Sequence, residues 1–225
     1  MLDQSVVVVV PVFNEETVVG SVVTALRERF ARVVCVDDGS SDASGDNARA
    51  AGGSVVRHPL NLGQGAALRT GMEFALTDPR TAVIVTFDAD GQHDPDDAVR
   101  LVERLGNGDV DIVLGSRFLD DRTTMSRARR LVLRAAALQS RLVTGVRLTD
   151  AHNGLRAMTA STARTLDFRM SGMAHASEIV TIIGREHLRY TEVPVVVRYT
   201  DYSRSKGQPL VNSINIAFDL MLRRN

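Results

Sequence analysis

Cysteine and lysine are all but missing from this chain. Cys35 is the single cysteine in 225 residues and Lys206 the single lysine. One cysteine excludes a disulfide framework and points to a reducing compartment. Within Val33-Val34-Cys35-Val36 it suits buried filler better than a nucleophile. The other basic residues are arginines, which codon bias explains, and the lone lysine is therefore worth locating. Net charge is missing as well: 27 basic and 27 acidic side chains cancel, so no bulk field argues for nucleic acid. No apolar run approaches the ~20 residues that span a bilayer. Val6 to Val10 is short and meets Pro11, so no signal peptide is expected. Repeats, linkers and low-complexity segments are absent too. The length fits one domain with a full core.

What is present is an alternation. Val6 to Val12 is an apolar, β-branched run, the mark of a central parallel strand. Phe13-Asn14-Glu15-Glu16 follows, then helical spacing through about Phe30, with Asn14 placed to cap that helix. Val33 to Val36 predicts a second strand, ending in Asp37-Asp38-Gly39-Ser40-Ser41-Asp42. Gly45 to Ala51 predicts a helix and Ser54 to Arg57 a third strand. Asn61-Leu62-Gly63-Gln64-Gly65-Ala66-Ala67 opens a helix to about Leu76, and Ala82 to Val85 is a fourth strand. Asp96 to Leu105 is helical, and Val110 to Leu114 is a strand before Gly115-Ser116-Arg117. Five such alternations predict an α/β fold: an open, mainly parallel, Rossmann-like sheet with helices on both faces. Such sheets bind ligands outside the carboxyl ends of their strands. The clusters Asn14-Glu15, Asp37-Asp38, Asp88-Asp90 and Ser116-Arg117 each follow a strand, so the fold gathers them along one edge.

The stretch Thr86-Phe87-Asp88-Ala89-Asp90-Gly91-Gln92-His93 carries the chemistry. Side chains alternate along extended backbone, so Asp88 and Asp90 share one side at the end of the fourth strand. Two hard anionic oxygen donors suit Mg²⁺ or Mn²⁺, ions that keep waters and take substrate phosphates as further ligands. In isolation such a pair is equally well a solvated acidic turn.

The second half differs. Thr123 to Thr144 carries Arg127, Arg129, Arg130, Arg134 and Arg141 with leucines and valines between them. Helical spacing gives it an apolar and a basic face. That fits an ordinary surface helix, or one lying on an anionic membrane surface or acceptor. Asp150 to Arg156 is a polar turn feeding a short strand, Met173 to Glu186 looks helical, and Tyr190 to Tyr199 reads as a strand. A polar loop, Thr200 to Pro209, carries Lys206. Leu210 to Leu222 is apolar almost all round; at ~20 Å of helix it is too short to cross a bilayer. It can lie on one or cover the domain's own core.

Taken together these blocks resemble a family 2 glycosyltransferase of the GT-A fold. The likeness is to the dolichol-phosphate or polyprenyl-phosphate sugar synthases, the mannosyl- and glucosyltransferases among them. It rests on Pro11-Val12-Phe13-Asn14-Glu15, Val36 to Asp42, Asn61 to Ala67 with Gly71-Met72, and Asp88 to Pro95. It continues through Gly115-Ser116-Arg117, Asp150 to Arg156, Glu178, Glu192-Val193-Pro194 and Ser205-Lys206. The resemblance implies one domain over 1–225, with a nucleotide-sugar and metal half (1–118) and an acceptor half (119–225). It implies that Pro11, Asn14, Glu15, Asp37, Asp38, Gly65, Asp88 and Ala89 line the nucleotide-sugar pocket. It makes Asp88, Asp90 and Gln92 the metal ligands. Arg117 would meet the acceptor phosphate with Arg129, Arg130 or Arg134, and Ser205-Lys206 would sit on a loop near the phosphates. Asp90, Arg117 and Lys206 are then the expected catalytic residues. Where the family commonly has Gly-Glu-Ser-Lys, this chain has Ser203-Arg204-Ser205-Lys206, and the extra positive charge puts the lid or acceptor contact in question. The membrane-spanning helices of many relatives are missing.

The acceptor turns on the need for a base. A sugar hydroxyl needs a carboxylate or histidine to take its proton; a phosphate monoester is already anionic and needs cations. The second half is rich in arginine and offers only His175 and Glu178 as acid–base candidates, each equally well structural. The expectation is a metal-dependent, inverting transfer of a hexose from a GDP- or UDP-linked donor to polyprenyl or dolichyl phosphate. The protein would sit peripherally on the cytoplasmic face of an anionic membrane. Transfer to a hydroxyl of a glycan or small molecule is the alternative enzyme. A non-catalytic nucleotide-sugar binding module is the alternative from another class. A nucleotidyltransferase fits less well, because no glycine- and arginine-rich loop follows the first strand.

Overall fold

The computed structural model describes residues 2–123, 125–170 and 174–198. Ser205, Lys206 and the apolar segment Leu210 to Leu222 lie outside the described residues. The order is β1 (Leu2–Val12), α1 (Val19–Arg27), β2 (Phe30–Asp37), α2 (Ser44–Ala50), β3 (Ser54–Arg57), α3 (Gln64–Leu76) and β4 (Val83–Thr86). Then come α4 (Pro95–Leu105), β5 (Ile112–Ser116), α5 (Arg127–Thr144), β6 (Arg156–Thr159), α6 (Ala160–Thr165), α7 (His175–Arg185) and β7 (Tyr190–Pro194).

The seven strands form one sheet in the order β3-β2-β1-β4-β6-β5-β7. β1 pairs in parallel with β2 and β4, β2 with β3, and β5 with β7. β6 alone is antiparallel, wedged between β4 and β5. This is the expected mainly parallel α/β architecture, the GT-A fold.

The valine run explains why β1 is central. Val6, Val8, Val10 and Val12 enter one hydrophobic cluster with α1 and α4, while Val7 and Val9 enter another with α3 and α7. Side chains alternate between the faces of a strand, so a strand covered on both sides must be apolar at every position. Burying each such valine contributes about 1.5–3 kcal/mol before chain entropy is counted.

Some local expectations are corrected. The first helix ends at Arg27, and Phe30 begins β2 instead, because its fully buried ring belongs to the sheet core. Asn14 does not cap α1, whose N-cap is Val18 with no side-chain bond. With φ at 53° it turns its Oδ1 to the backbone N–H of Ser41 at 2.9 Å. The last strand stops at Pro194, short of the expected Tyr199; the proline is tolerated because β7 is the edge strand, and Val195 N–H still donates to Ser116 O at 3.0 Å.

Candidate active site

The strand-end clusters are stitched into one rim by hydrogen bonds between loops distant in sequence. After β1, the N–H groups of Asn14 and Glu15 donate to Ser40 Oγ (3.0 Å), in the loop after β2, and to Ser44 Oγ (2.7 Å), at the start of α2. Pro11 lies within β1 beside Val36. After β2, buried Asp37 accepts from the Ser40 N–H at 2.9 Å, and Arg57 Nε lies 3.3 Å from its other oxygen. Buried Asp38 turns inward: Oδ1 accepts from Leu62 N–H (3.0 Å) and faces His58 Nδ1 (2.7 Å), and Oδ2 accepts from Gly63 N–H (2.7 Å). Asp38 thus anchors the loop that delivers the next residue, Gln64, whose Nε2 donates to Asp88 Oδ1 at 2.9 Å. Gly39 has φ 74° and packs on the Leu60 backbone, so this loop approaches as closely as the sequence suggests. A cavity of about 300 Å³ opens there, lined by Gly39, Ser40, Arg57, His58 and Pro59. A larger one, about 400 Å³, lies between α3 and residues 163–168 and includes no residue of the strand-end clusters.

Asp88 and Asp90 end β4 as expected, and their surroundings set them apart. Asp88 Oδ2 faces His93 Nε2 at 3.2 Å. Burial works against its charge, yet the hydrogen bond and charge of His93, with Arg156 and His175 beyond, hold its carboxyl below the usual range. For Asp90 burial again leads, and here the like charge of Asp88 adds to it, with Glu15 behind; together they push its carboxyl up to about 6. Gln92 folds onto Asp90, donating from its backbone to Oδ1 (3.0 Å) and from Nε2 to Oδ2 (2.7 Å). A desolvated pair of mutually repelling carboxylates suits a divalent cation, whose charge relieves that repulsion. No cluster of three or more His, Cys, Asp or Glu suited to a metal occurs among the described residues, so such an ion would draw its remaining ligands from water and substrate oxygens. Ala89 is buried between the two, and Gly65 packs under the carbonyl of Met170, where a side chain would not fit.

The second half of the chain is tied to the rim through β5. Ser116 Oγ pairs with Thr149 Oγ1 at 2.6 Å. Arg117 does not point freely outward: its guanidinium is buried on Asp150. The Arg134 guanidinium sits over the Phe118 ring, 5.7 Å from the centroid, and Arg130 lies 3.8 Å from Asp121. Both lie in the N-terminal half of α5, which has no acidic residue. The same helix leaves Leu131, Leu138 and Leu142 at 71%, 57% and 80% exposure. Glu178 is committed to structure, accepting from the N–H groups of Arg169 (2.9 Å) and Met170 (2.8 Å). The Arg129 side chain, Ser205 and Lys206 fall outside the description.

Sequence reasoning gave no role to Gln64, His93, Asp150 or Arg156. His93 was within reach, since it closes the acidic stretch. The partnership of Gln64 with Asp88, 24 residues apart, had no local signal.

A family model described as glycosyl transferase family 2 matches residues 7–166. An uncharacterized protein of Methanocaldococcus jannaschii is 35% identical over 96% of this chain and 91% of its own length. The UDP-N-acetylglucosamine–dolichyl-phosphate N-acetylglucosaminyltransferase of Methanococcus voltae is 28% identical, covering 99% of this chain and 97% of its own. The undecaprenyl-phosphate mannosyltransferase of Micrococcus luteus is 29% identical over 92% and 91%. Among solved structures, the glucosyl-3-phosphoglycerate synthase of Mycobacterium tuberculosis in complex with Mn²⁺, UDP and phosphoglyceric acid aligns with a TM-score of 0.76 at 21% identity. That alignment covers 98% of this chain and 78% of the other, a likeness of fold.

Proposed function

The chain belongs to glycosyl transferase family 2, and from that premise we propose that this glycosyltransferase moves a hexose from a nucleotide sugar to a polyprenyl phosphate. Relatives named for dolichyl phosphate and undecaprenyl phosphate support the acceptor class. The observation that carries the reading is the make-up of the acceptor half. Of its two candidate bases, Glu178 is spent on two backbone N–H groups and His175 is buried, while α5 brings arginines and no acid to the rim. A phosphate monoester needs cations and no base; a sugar hydroxyl needs the reverse.

In this reading Asp88 and Asp90 hold Mg²⁺ or Mn²⁺ on the donor diphosphate, with Gln92 positioning Asp90. The ion, when bound, offsets the charge that develops on the leaving diphosphate. The nucleoside lies along Pro11, Asn14, Glu15, Asp37 and Gly39-Ser40, towards the cavity by His58. Asp38, enclosed by His58 and the loop N–H groups, shapes that pocket and does not touch the base. Arg130 and Arg134 receive the acceptor phosphate, and Arg117 orients that rim through Asp150. The acceptor oxygen bonds to the anomeric carbon as the bond to the nucleoside diphosphate breaks, which inverts that centre. Attachment is peripheral, at the cytoplasmic face, through the arginine- and leucine-bearing surface of α5. Among the described residues no helix is long and apolar enough to cross a membrane.

Purified protein incubated with radiolabelled UDP- and GDP-sugars and Mn²⁺ tests this. Label is expected in the organic phase with undecaprenyl or dolichyl phosphate and absent from free sugars. Label on a free hydroxyl acceptor alone transfers the assignment to the glycan reading. Donor binding without product under any acceptor leaves a binding module.

A further inference from the structure

Arg156 is a buried cation without a fork. It is 1% exposed, among the largest fully buried side chains, and its Nε and Nη1 make no hydrogen bond among the described residues. Buried guanidinium groups ordinarily sit in hydrogen-bonded pairs with carboxylates, since unmade bonds are costly.

The strand register shows where its charge acts. Arg156 lies opposite Thr86 in the β4–β6 ladder. Continued by two residues, that antiparallel register sets Gly154 opposite Asp88. The Thr86 hydroxyl donates to Gly154 O at 2.6 Å, and the Asp88 carboxylate fills the space where a side chain at 154 would stand. Residues two apart on a strand share a face, so Arg156 and Asp88 are diagonal neighbours, within reach of a long side chain. In the other ladder Arg156 lies opposite Leu114, three residues before Arg117, which is paired with Asp150. One guanidinium thus sits between buried Asp150 and half-buried Asp88. Burial draws it down to about 10, and Asp88 and then Asp150 work against that.

We propose that Arg156 is an internal counter-ion that stands in for the divalent cation at Asp88 while the metal is absent. This rests on the reading of Asp88 as a metal ligand and deepens it. Arg156 is a positioning residue that acts through Asp88: it lets that half-buried carboxylate stay anionic before the metal and donor arrive. Because it acts by charge and not by a fork, the Asp88 oxygens stay with Gln64 and His93, in place for an ion. The same fixed charge repels the incoming cation. Metal-free stability and metal affinity are therefore traded against each other at this residue.

The test is a stability cycle on metal-free protein with wild type, Arg156→Met, Asp88→Asn and the double variant, followed by Mn²⁺ titration read from the electron paramagnetic resonance of the free ion. Arg156→Met is expected to destabilise the metal-free protein, Asp88→Asn to cancel at least half of that loss, and Arg156→Lys to lose less than Arg156→Met. Arg156→Met is also expected to bind Mn²⁺ at least threefold more tightly than wild type. If Arg156→Met does not fold while the double variant does, the charge pairing is supported. Failure of both variants to fold, additive losses in the cycle, or unchanged or weaker Mn²⁺ binding overturns the proposal. Wild type that binds no Mn²⁺ removes the metal reading itself, and the cycle then shows separately whether the two charges are paired.

Discussion

Arg117 is held by Asp150 in a two-pronged ion pair: Nε lies 2.5 Å from Oδ2 and Nη2 2.6 Å from Oδ1. The Arg117 backbone N–H also donates to Oδ2 at 3.2 Å. Burial opposes the charge on Asp150, but Arg117 outweighs it and holds the carboxyl below the usual range. Removing one partner strands the other. Asp150→Ala is expected to cost about 3–5 kcal/mol, measured by denaturant melts, with Arg117→Met/Asp150→Met recovering much of it. Arg117→Ala should raise the KM for lipid phosphate more than the Kd for donor. Equal losses on both sides would separate Arg117 from the acceptor.

Asp90 gives the pH prediction. Its carboxyl binds a proton more tightly in the folded protein, at about 6, than in the unfolded chain, near 3.8. The stability this confers is fully present below about pH 4 and is lost as pH rises through about 6. Above that, the desolvated charge beside Asp88 is a burden of at most about 3 kcal/mol. Metal-free Asp90→Asn should therefore be more stable than wild type at pH 7, and the gap should close towards pH 4. A gap independent of pH would show that the Asp90 charge is not strained. Mn²⁺ affinity of the wild type should fall as pH drops below about 6, because the proton competes for the same carboxylate.

Gly154→Ala probes the contact under Asp88. The added methyl would stand where the Asp88 carboxylate is, closer than van der Waals contact. Overpacking of this kind costs about 1–3 kcal/mol. Displacing Asp88 should slow transfer at least about tenfold, the equivalent of ~1.4 kcal/mol in the barrier. A folded variant with unchanged kcat and Mn²⁺ affinity would mean the carboxylate has room to move without consequence.

The α5 surface is open to direct measurement. Replacing Leu131, Leu138 and Leu142 with serine removes apolar side chains that are mostly exposed. Co-sedimentation with phosphatidylglycerol vesicles should drop several-fold, with the melting temperature nearly unchanged. Vesicle binding at the wild-type level would assign those leucines to something other than lipid.

The parallel half of the fold was legible because its signals are local. The valine run of β1 must alternate between two cores, and the acidic, serine and glycine turns fall where strands end. The gathering of those turns along one rim was legible for the same reason: parallel strands send their carboxyl ends one way. The place of β6 was not, since nothing near Arg156 says that the strand enters the sheet antiparallel, between β4 and β5.

By itself, then, the sequence determined the parallel part of the sheet, the edge where the strand-end clusters gather and the carboxylate pair after β4, since periodicity and turn chemistry act over a few residues. Tertiary structure alone decided who holds whom. Asp38 turns inward to His58 and the loop before α3, Asp150 takes Arg117, Glu178 binds backbone N–H groups, and Arg156, paired with Thr86, comes diagonal to Asp88. Those partners are far apart along the chain, and charges are paired by distance in the folded molecule, which no local pattern encodes.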